Sequence, residues 1–268
     1  MTNPMTERIS QHYADLTQNN RRIADYLLVN PEKILMLSTN EIAQECSVSK
    51  ASVSRFIRKL GYQDHSCLRS ELLGERDKGT PMATLSDATG LTAELSALES
   101  LWAQIDSVDL EPVIDALMSS KKVKVIGYRN SYPVAMHFRQ QLLQCRQHIE
   151  LLPLPGQTIG EDIASIDEQD FIVLIGIRRR VNGFAELIEQ LPSHRTLLIT
   201  DQTGIHYQSQ AACTLVCPMS NERSLDSYAA PMALISYLSN RVYDKLGSKA
   251  VKVSESVSQT YSVLNELE

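Results

Sequence analysis

Through the first quarter of the chain, apolar residues recur at three- and four-residue spacing; beyond residue 120 they condense into short unbroken runs. Ile9, Tyr13 and Leu16 open one amphipathic stretch. Arg21 to Val29 carries a second, which stops at Asn30-Pro31, and Glu32 to Leu37 carries a third. That period predicts helices, and Pro31 marks a break because it offers no N–H and restricts the residue before it. Ser38 to Gly61, STNEIAQECSVSKASVSRFIRKLG, predicts a helix, a tight turn and a second helix. Ser38 and Glu41 form a capping box in sequence, and Ile42 and Ala43 face inward. Val48 plugs the turn, and Ser49 caps a helix whose Val53, Phe56, Ile57 and Leu60 share one face until Gly61 ends it. A further helix is expected near Ser66 to Leu73.

The segment Gly74 to Thr84 is charged, contains Gly and Pro and has no apolar period, so it reads as a linker. Leu91 to Ile105 and Pro112 to Met118 are again helical. Then strands and helices alternate. Val123–Gly127, Ile149–Leu152, Phe171–Gly176, Thr196–Thr200 and Thr214–Cys217 read as strands. Tyr132–Cys145, Gly183–Gln190 and Tyr228–Leu246 read as helices. The third strand, FIVLIG, is apolar at every position and so is expected to be buried on both faces. Alternation of this kind predicts a parallel, doubly wound sheet. The fold expected is two domains: an all-α helix-turn-helix bundle (1–76), a linker (77–90), and an α/β domain with a five-stranded parallel, flavodoxin-like sheet (91–247). A tail (248–268) follows, helical through Val253, Val257, Tyr261 and Leu264, and suited to a partner chain.

Charge sharpens the reading of the first domain. The 268 residues carry a net charge of −6, but residues 1–80 hold 11 Lys/Arg against 10 Asp/Glu. A near-neutral module on an acidic body suits specific binding of nucleic acid with little stray contact. Between Cys46 and Ser70 stand Lys50, Arg55, Arg58, Lys59 and Arg69 against the single acid Asp64. Ser49, Lys50, Ser52, Ser54 and Arg55 are the expected base-edge readers, and Arg58 and Lys59 the phosphate clamps, on a double-stranded operator. The plain alternative is a helical hairpin with a solvated basic face. Ser47 stands where such turns often hold Gly, so mild backbone strain is expected there.

Other chemistry is sparse. The five cysteines are widely spaced, which suits reduced thiols in a cytoplasmic protein, and the six histidines form no metal-ligand pattern. No cofactor is expected. No apolar run approaches 18 residues, so no membrane partner is expected either.

With both halves in view, the chain resembles the RpiR/MurR family of bacterial transcriptional regulators, which join a helix-turn-helix domain to a sugar isomerase (SIS) domain. The resemblance covers roughly Ile9 to Leu246. It is carried by NEIAQECSVSKASVSRFIRKLGY, by Gly127 and Gly176 after the first and third strands, by Ile199-Thr200-Asp201 after the fourth, and by Glu222 before the last long helix. It implies a homodimer or tetramer that regulates genes of sugar or other carbon metabolism, and a phosphosugar held at the loops after strands one and three. There the chain departs from the family pattern SxSGxT: it reads Gly176-Ile177-Arg178-Arg179-Arg180-Val181, and the first loop reads Gly127-Tyr128-Arg129-Asn130-Ser131. Two readings stay open. Arg129, Asn130, Ser131, Arg178, Arg179, Arg180 and Glu222 form a site for a small anionic metabolite, phosphosugar or carboxylate, with Tyr128, Gln157 and Thr158 as weaker candidates. Alternatively the arginines are a solvated loop or an interface, and the SIS domain only oligomerises. An isomerase-type enzyme is the outlying alternative, with Glu222 or His206 as the general base it would need.

Overall fold

The computed structural model describes residues 4–31, 33–77, 91–219 and 225–267. The chain divides into two compact units, residues 1–90 with 221–226, and residues 91–220 with 227–268.

The first unit is all-helical: α1 (Pro4–His12), α2 (Gln18–Val29), α3 (Lys33–Met36), α4 (Thr39–Glu45), α5 (Lys50–Lys59) and α6 (His65–Asp77). Thr17 caps α2 by accepting from the Asn20 N–H, which satisfies one of the free donors of its first turn. The helices close around Met5, Ile9, Ile23, Leu27, Ile34, Ile42, Phe56, Ile57, Leu68 and Leu72. These are the apolar positions whose spacing marked the helices in sequence, so packing of one stripe per helix accounts for the bundle.

The second unit holds α7 (Leu91–Ser107), α8 (Glu111–Ser119), β1 (Val123–Gly127), α9 (Ser131–Leu142), β2 (Ile149–Leu152), α10 (Gly160–Ala164) and β3 (Phe171–Gly176). It continues through α11 (Phe184–Glu189), β4 (Thr196–Thr200), β5 (Cys213–Val216), α12 (Ala229–Leu246) and α13 (Ser248–Leu264). The strand order is β2-β1-β3-β4-β5, and every pairing is parallel. Val125 pairs with Val173 and Val173 with Leu197, so the three central strands run in step. One sheet face packs on α7, α8, α9 and α12 through Val125, Phe138, Val173, Leu197, Leu234 and Leu238. The other carries Ile126, Ile172, Leu174 and Leu198 against Phe184 and Ile188 of α11. β3 is buried at all six positions, as its unbroken apolar run requires.

Two short elements have no periodic signature in sequence: α10, and the 3-10 stretch Gln202–Gln210. α10 is five residues, too short for an amphipathic period to register, and the 3-10 stretch repeats every three residues and buries only Gly204, so it carries no apolar stripe. Lys124 is the other surprise. It lies in β1 at 1% exposure. Its ammonium donates to Ser165 Oγ at 2.9 Å and sits 3.4 Å from a Glu150 carboxylate oxygen, so the buried charge is paired and bonded. The tail is the helix α13, set off from α12 at Gly247, whose φ of 54° only glycine adopts without cost.

Candidate nucleic-acid interface and sheet-edge crevice

The α4–turn–α5 unit is built by its own caps. Ser38 Oγ accepts from the Glu41 N–H at 3.3 Å, and the Glu41 carboxylate accepts from the Ser38 N–H at 2.7 Å. That backbone hydrogen bond, with the Ser38 hydroxyl, holds the Glu41 carboxyl below its ordinary range. After α4 the chain turns through Ser47 at φ 53°, the left-handed conformation expected from its position. The Val48 N–H reaches back to the Ala43 carbonyl at 2.9 Å and closes the turn. Ser49 caps α5, accepting from the Ser52 N–H at 3.2 Å.

α5 buries Val53, Phe56 and Ile57, which fixes its rotation. Ser49, Lys50, Arg55, Arg58 and Lys59 are exposed, and Ser54 is half-exposed. Ser52 is a correction. It was expected to face outward, yet it is only 5% exposed, and its hydroxyl lies 2.9 Å from Ser49 Oγ. Ser52 stands four residues before Phe56, on the inner stripe, and that spacing was the available signal. Ala51 takes the outward place instead, one turn before Arg55. Sequence reasoning passed over it because alanine carries no donor, although a methyl group is what a thymine methyl meets in the major groove. Lys59 is tethered, its ammonium donating to the Asp15 carbonyl. The exposed face therefore combines a helix N-terminus, short hydroxyls and guanidinium groups, the groups that hold phosphate and read base edges.

The second candidate lies at the carboxyl ends of β1 and β3. The strand order reverses there, which is where open α/β sheets take ligands. Gly127 and Gly176 end the two strands. A Cβ on Gly127 would meet the Ser131 carbonyl oxygen at 2.6 Å, and one on Gly176 would meet the Phe184 ring at 2.3 Å, so the first turn of α9 and the Phe184 ring of α11 pack directly on the two glycines. Tyr128, Ser131, Arg178, Arg179 and Arg180 wall the crevice between them, as the first loop and the arginine run predicted. Gln157 and Thr158 are not among its walls; Thr158 donates instead to the Glu161 carboxylate at 3.1 Å. Glu222 lies outside the described residues.

The side chains that wall this crevice also fill it. Its volume is about 10 Å³, close to the minimum for one water. Ser131 Oγ accepts from the Ile177 N–H at 3.2 Å and so joins the two loops. Arg178 is buried. Arg180 is the central filler. Its guanidinium donates to Asp201 at 2.8 Å, the Gly176 carbonyl at 3.0 Å and Thr203 Oγ1 at 2.6 Å, and it lies about 6 Å from the centres of the Phe184 and Tyr207 rings. Arg129 and Asn130 are exposed on the loop after β1 and are not among the crevice walls, and Arg179 is half-exposed. Arg129, Arg178 and Arg179 all have positive φ, at 53°, 46° and 22°. Non-glycine residues adopt such conformations at a cost of order 1–3 kcal/mol each, and they cluster at ligand clamps and switches.

Among the described residues, no group of three or more His, Cys, Asp or Glu side chains is placed to hold a metal ion. No described helix is long and apolar enough to cross a membrane.

Comparison with known proteins agrees with both halves. Residues 3–79 match the helix-turn-helix domain of the rpiR family, and residues 116–241 match the SIS domain. The HTH-type transcriptional regulator YfhH of Escherichia coli K12, described as uncharacterized, is 28% identical over 241 residues, covering 77% of this chain and 85% of its own. YbbH of Bacillus subtilis 168, similarly described, is 24% identical over 232 residues, covering 82% and 81%. Among solved structures, Vibrio vulnificus NanR complexed with ManNAc-6P superposes with a TM-score of 0.56 at 15% identity, covering 97% of this chain and 98% of that one. The sugar isomerase domain of an RpiR transcription factor from Sphaerobacter thermophilus gives 0.56 at 17% identity, covering 63% and 96%. At these identities the structural likeness concerns the fold.

Proposed function

From the premise that this chain is a transcriptional regulator joining an rpiR-family helix-turn-helix domain to a SIS domain, we propose that it binds operator DNA through α5 as a homo-oligomer and answers to a small anionic metabolite. The observation that carries the DNA reading is the exposed face of α5, where Ser49, Lys50, Ala51, Arg55 and Arg58 stand clear while Val53, Phe56 and Ile57 anchor the helix. Its amino-terminal residues read base edges. Arg58, and Lys59 once its tether to Asp15 opens, hold phosphate. Two such helices in a dimer address half-sites about 34 Å apart, or a multiple of that. The regulated genes are those of sugar or other carbon metabolism, as the resemblance implies. Selection from random duplexes, followed by footprinting, tests this reading. A symmetric protected site supports it, and no retention at low ionic strength removes it.

The effector is assigned to the crevice at β1 and β3, as a phosphosugar or a carboxylate. Four arginines in an otherwise acidic chain, three of them at positive φ, support an anion site. Arg129 and Asn130, exposed on the loop after β1, and the half-exposed Arg179 are the groups offered to an incoming anion, since Arg180 is taken by Asp201. Binding requires the 177–181 loop to move, because the crevice holds about 10 Å³. That same closure favours a second reading, in which the SIS domain oligomerises and takes no ligand. Thermal unfolding with a panel of sugar phosphates and small acids separates the two. The effector reading expects a rise in Tm that Arg129→Ala abolishes, and no rise with any anion supports the second. An isomerase would need a general base at the crevice. His206 is exposed and packed on Tyr207, with ring centres 4.0 Å apart, and is not among the crevice walls.

A further inference from the structure

The last helix has an unusual economy. α13 runs 17 residues, yet Ala250 is the one residue it buries. Isolated helices of this length are marginal in water, so most of their stability comes from packing. Its first turn is anchored by Ala250 in the core, and Ser254 Oγ donates to the Gln144 carbonyl at 2.7 Å. Beyond that, Val257 and Tyr261 are half-buried, while Leu264 is 59% exposed and Val263 84%. An open groove of about 500 Å³ runs along this face, between α13 and the carboxyl end of α9. Gln140, Leu143, Gln144 and Gln147 line one side, and Val253, Val257 and Tyr261 the other, with Lys252 and Ser256 beside them.

We propose that this face docks a second copy of the same helix, antiparallel, on a two-fold axis at Val257, and that it forms the dimer interface of the SIS unit. The inference deepens the homo-oligomer reading above and rests on it.

Three observations select this occupant. The first is symmetry. The apolar positions 250, 253, 257, 261 and 264 lie at −7, −4, 0, +4 and +7 from Val257. An isologous interface is self-complementary, so a helix meeting its own copy antiparallel must read alike in both directions from the axis, and this stripe does. Val257 then faces itself and Val253 faces Tyr261 of the second copy, small against large. Leu264 falls opposite Ala250, whose side chain is taken up by its own core and leaves little bulk in the way.

The second is charge. Lys249 and Lys252 with Glu255 give the amino-terminal half of α13 a net positive charge, and Glu266 lies just past its carboxyl end. Antiparallel pairing places Lys249 opposite Asn265, beside Glu266, and opposes the two helix dipoles. Parallel pairing would bring lysine to lysine.

The third is the groove wall. On the α9 side it offers three glutamines and one leucine, with no carboxylate, in a chain whose net charge is −6. Depletion of charge at the centre is what marks an interface core. The Arg146 guanidinium at its edge is already held by the carbonyls of Leu117 and Ser120, at 2.6 and 2.8 Å.

Light scattering of the full chain, with Val257→Asp and Val257→Cys, tests the assignment. The aspartate brings two like charges together on the axis, and the expected result is half the wild-type mass. The cysteine is made in a Cys67→Ser background, because Cys67 is an exposed thiol. Mild oxidation is expected to link two Val257→Cys chains in high yield. Val251→Cys, on another face of the helix, is expected to give at least about tenfold less. Unchanged mass for Val257→Asp, a monomeric wild type, or equal linkage at the two cysteine positions would overturn the proposal. If Val257→Asp fails to fold by circular dichroism, the cysteine pair decides alone. Salt-dependent retention of random duplex by the same variants keeps the readings apart. Retention with unchanged mass removes only this interface, while loss of retention in the wild type removes the DNA reading.

Discussion

Arg180 and Asp201 meet at 2.8 Å across the carboxyl ends of β3 and β4, with the carboxylate fully buried and the guanidinium side chain 14% exposed. Arg180 is also one wall of the crevice between β1 and β3, so the pair to Asp201 fixes that wall from the neighbouring strand. Thr203 donates to the same carboxylate at 3.0 Å, so the acid keeps one partner when the arginine is lost. Removing one member of a buried pair leaves an uncompensated charge, which costs about 3–5 kcal/mol. Arg180→Ala is expected to lower urea stability by an amount near the low end of that range. Arg180→Leu with Asp201→Asn is expected to recover much of the loss. Equal stability of wild type and Arg180→Ala would show that the pair contributes nothing.

On the proposed reading, Arg55 and Arg58 are assigned two kinds of DNA contact. Arg55→Ala is expected to cost about 1–3 kcal/mol on the operator and to relax the preference at one base pair. Arg58→Ala is expected to weaken all duplexes alike and to reduce the slope of log K against log salt by about one. Binding isotherms on operator and scrambled duplex at several salt concentrations measure both. If the two variants behave identically, the division of roles along α5 is wrong.

Ser52 belongs to the packing of α5. Ser52→Ala removes its hydroxyl contact with Ser49 and is expected to lower stability by about 1 kcal/mol without changing which base pairs are preferred. A changed preference in a selection experiment would return Ser52 to the reading face.

His65, at the start of α6, gives the DNA-binding unit a pH dependence. Burial lowers its pKa below the ordinary 6.5, against an opposing hydrogen bond with the Ile34 backbone. A depressed histidine pKa means the unfolded chain binds the proton first. Stability therefore falls as pH drops below about 6.5 and levels off under the folded-state value. Thermal unfolding of wild type from pH 7.5 to 5 is expected to show this fall, and His65→Gln to flatten it. A wild type as stable at pH 5.5 as at pH 7.5 would count against it.

The helix-turn-helix was legible because its signals are local. Caps at Ser38 and Ser49, the turn at Ser47-Val48 and the stripe Val53-Phe56-Ile57 all act within 24 residues, and the structure realises each. The sheet was legible because short apolar-rich runs, β3 unbroken and the others interrupted only by residues such as Lys124 and Glu150, alternate with helical stretches. α10 was not, since five residues hold no full amphipathic period. At the crevice the sequence placed Arg129 and the 178–180 run at one sheet edge, but not which arginine would be spent on an internal acid. That depended on Asp201, which is 21 residues beyond Arg180 in the chain.

By itself, then, the sequence determined the helical reading head, the strand order's raw material and the clustering of arginine, since caps, period and turn residues act between near neighbours. Only the tertiary structure decided that Ser52 turns inward, that Lys124 is buried beside Glu150, and that Arg180 closes the crevice on Asp201. Those outcomes depend on partners brought together by the fold, where burial makes each polar group find a bond or forfeit stability.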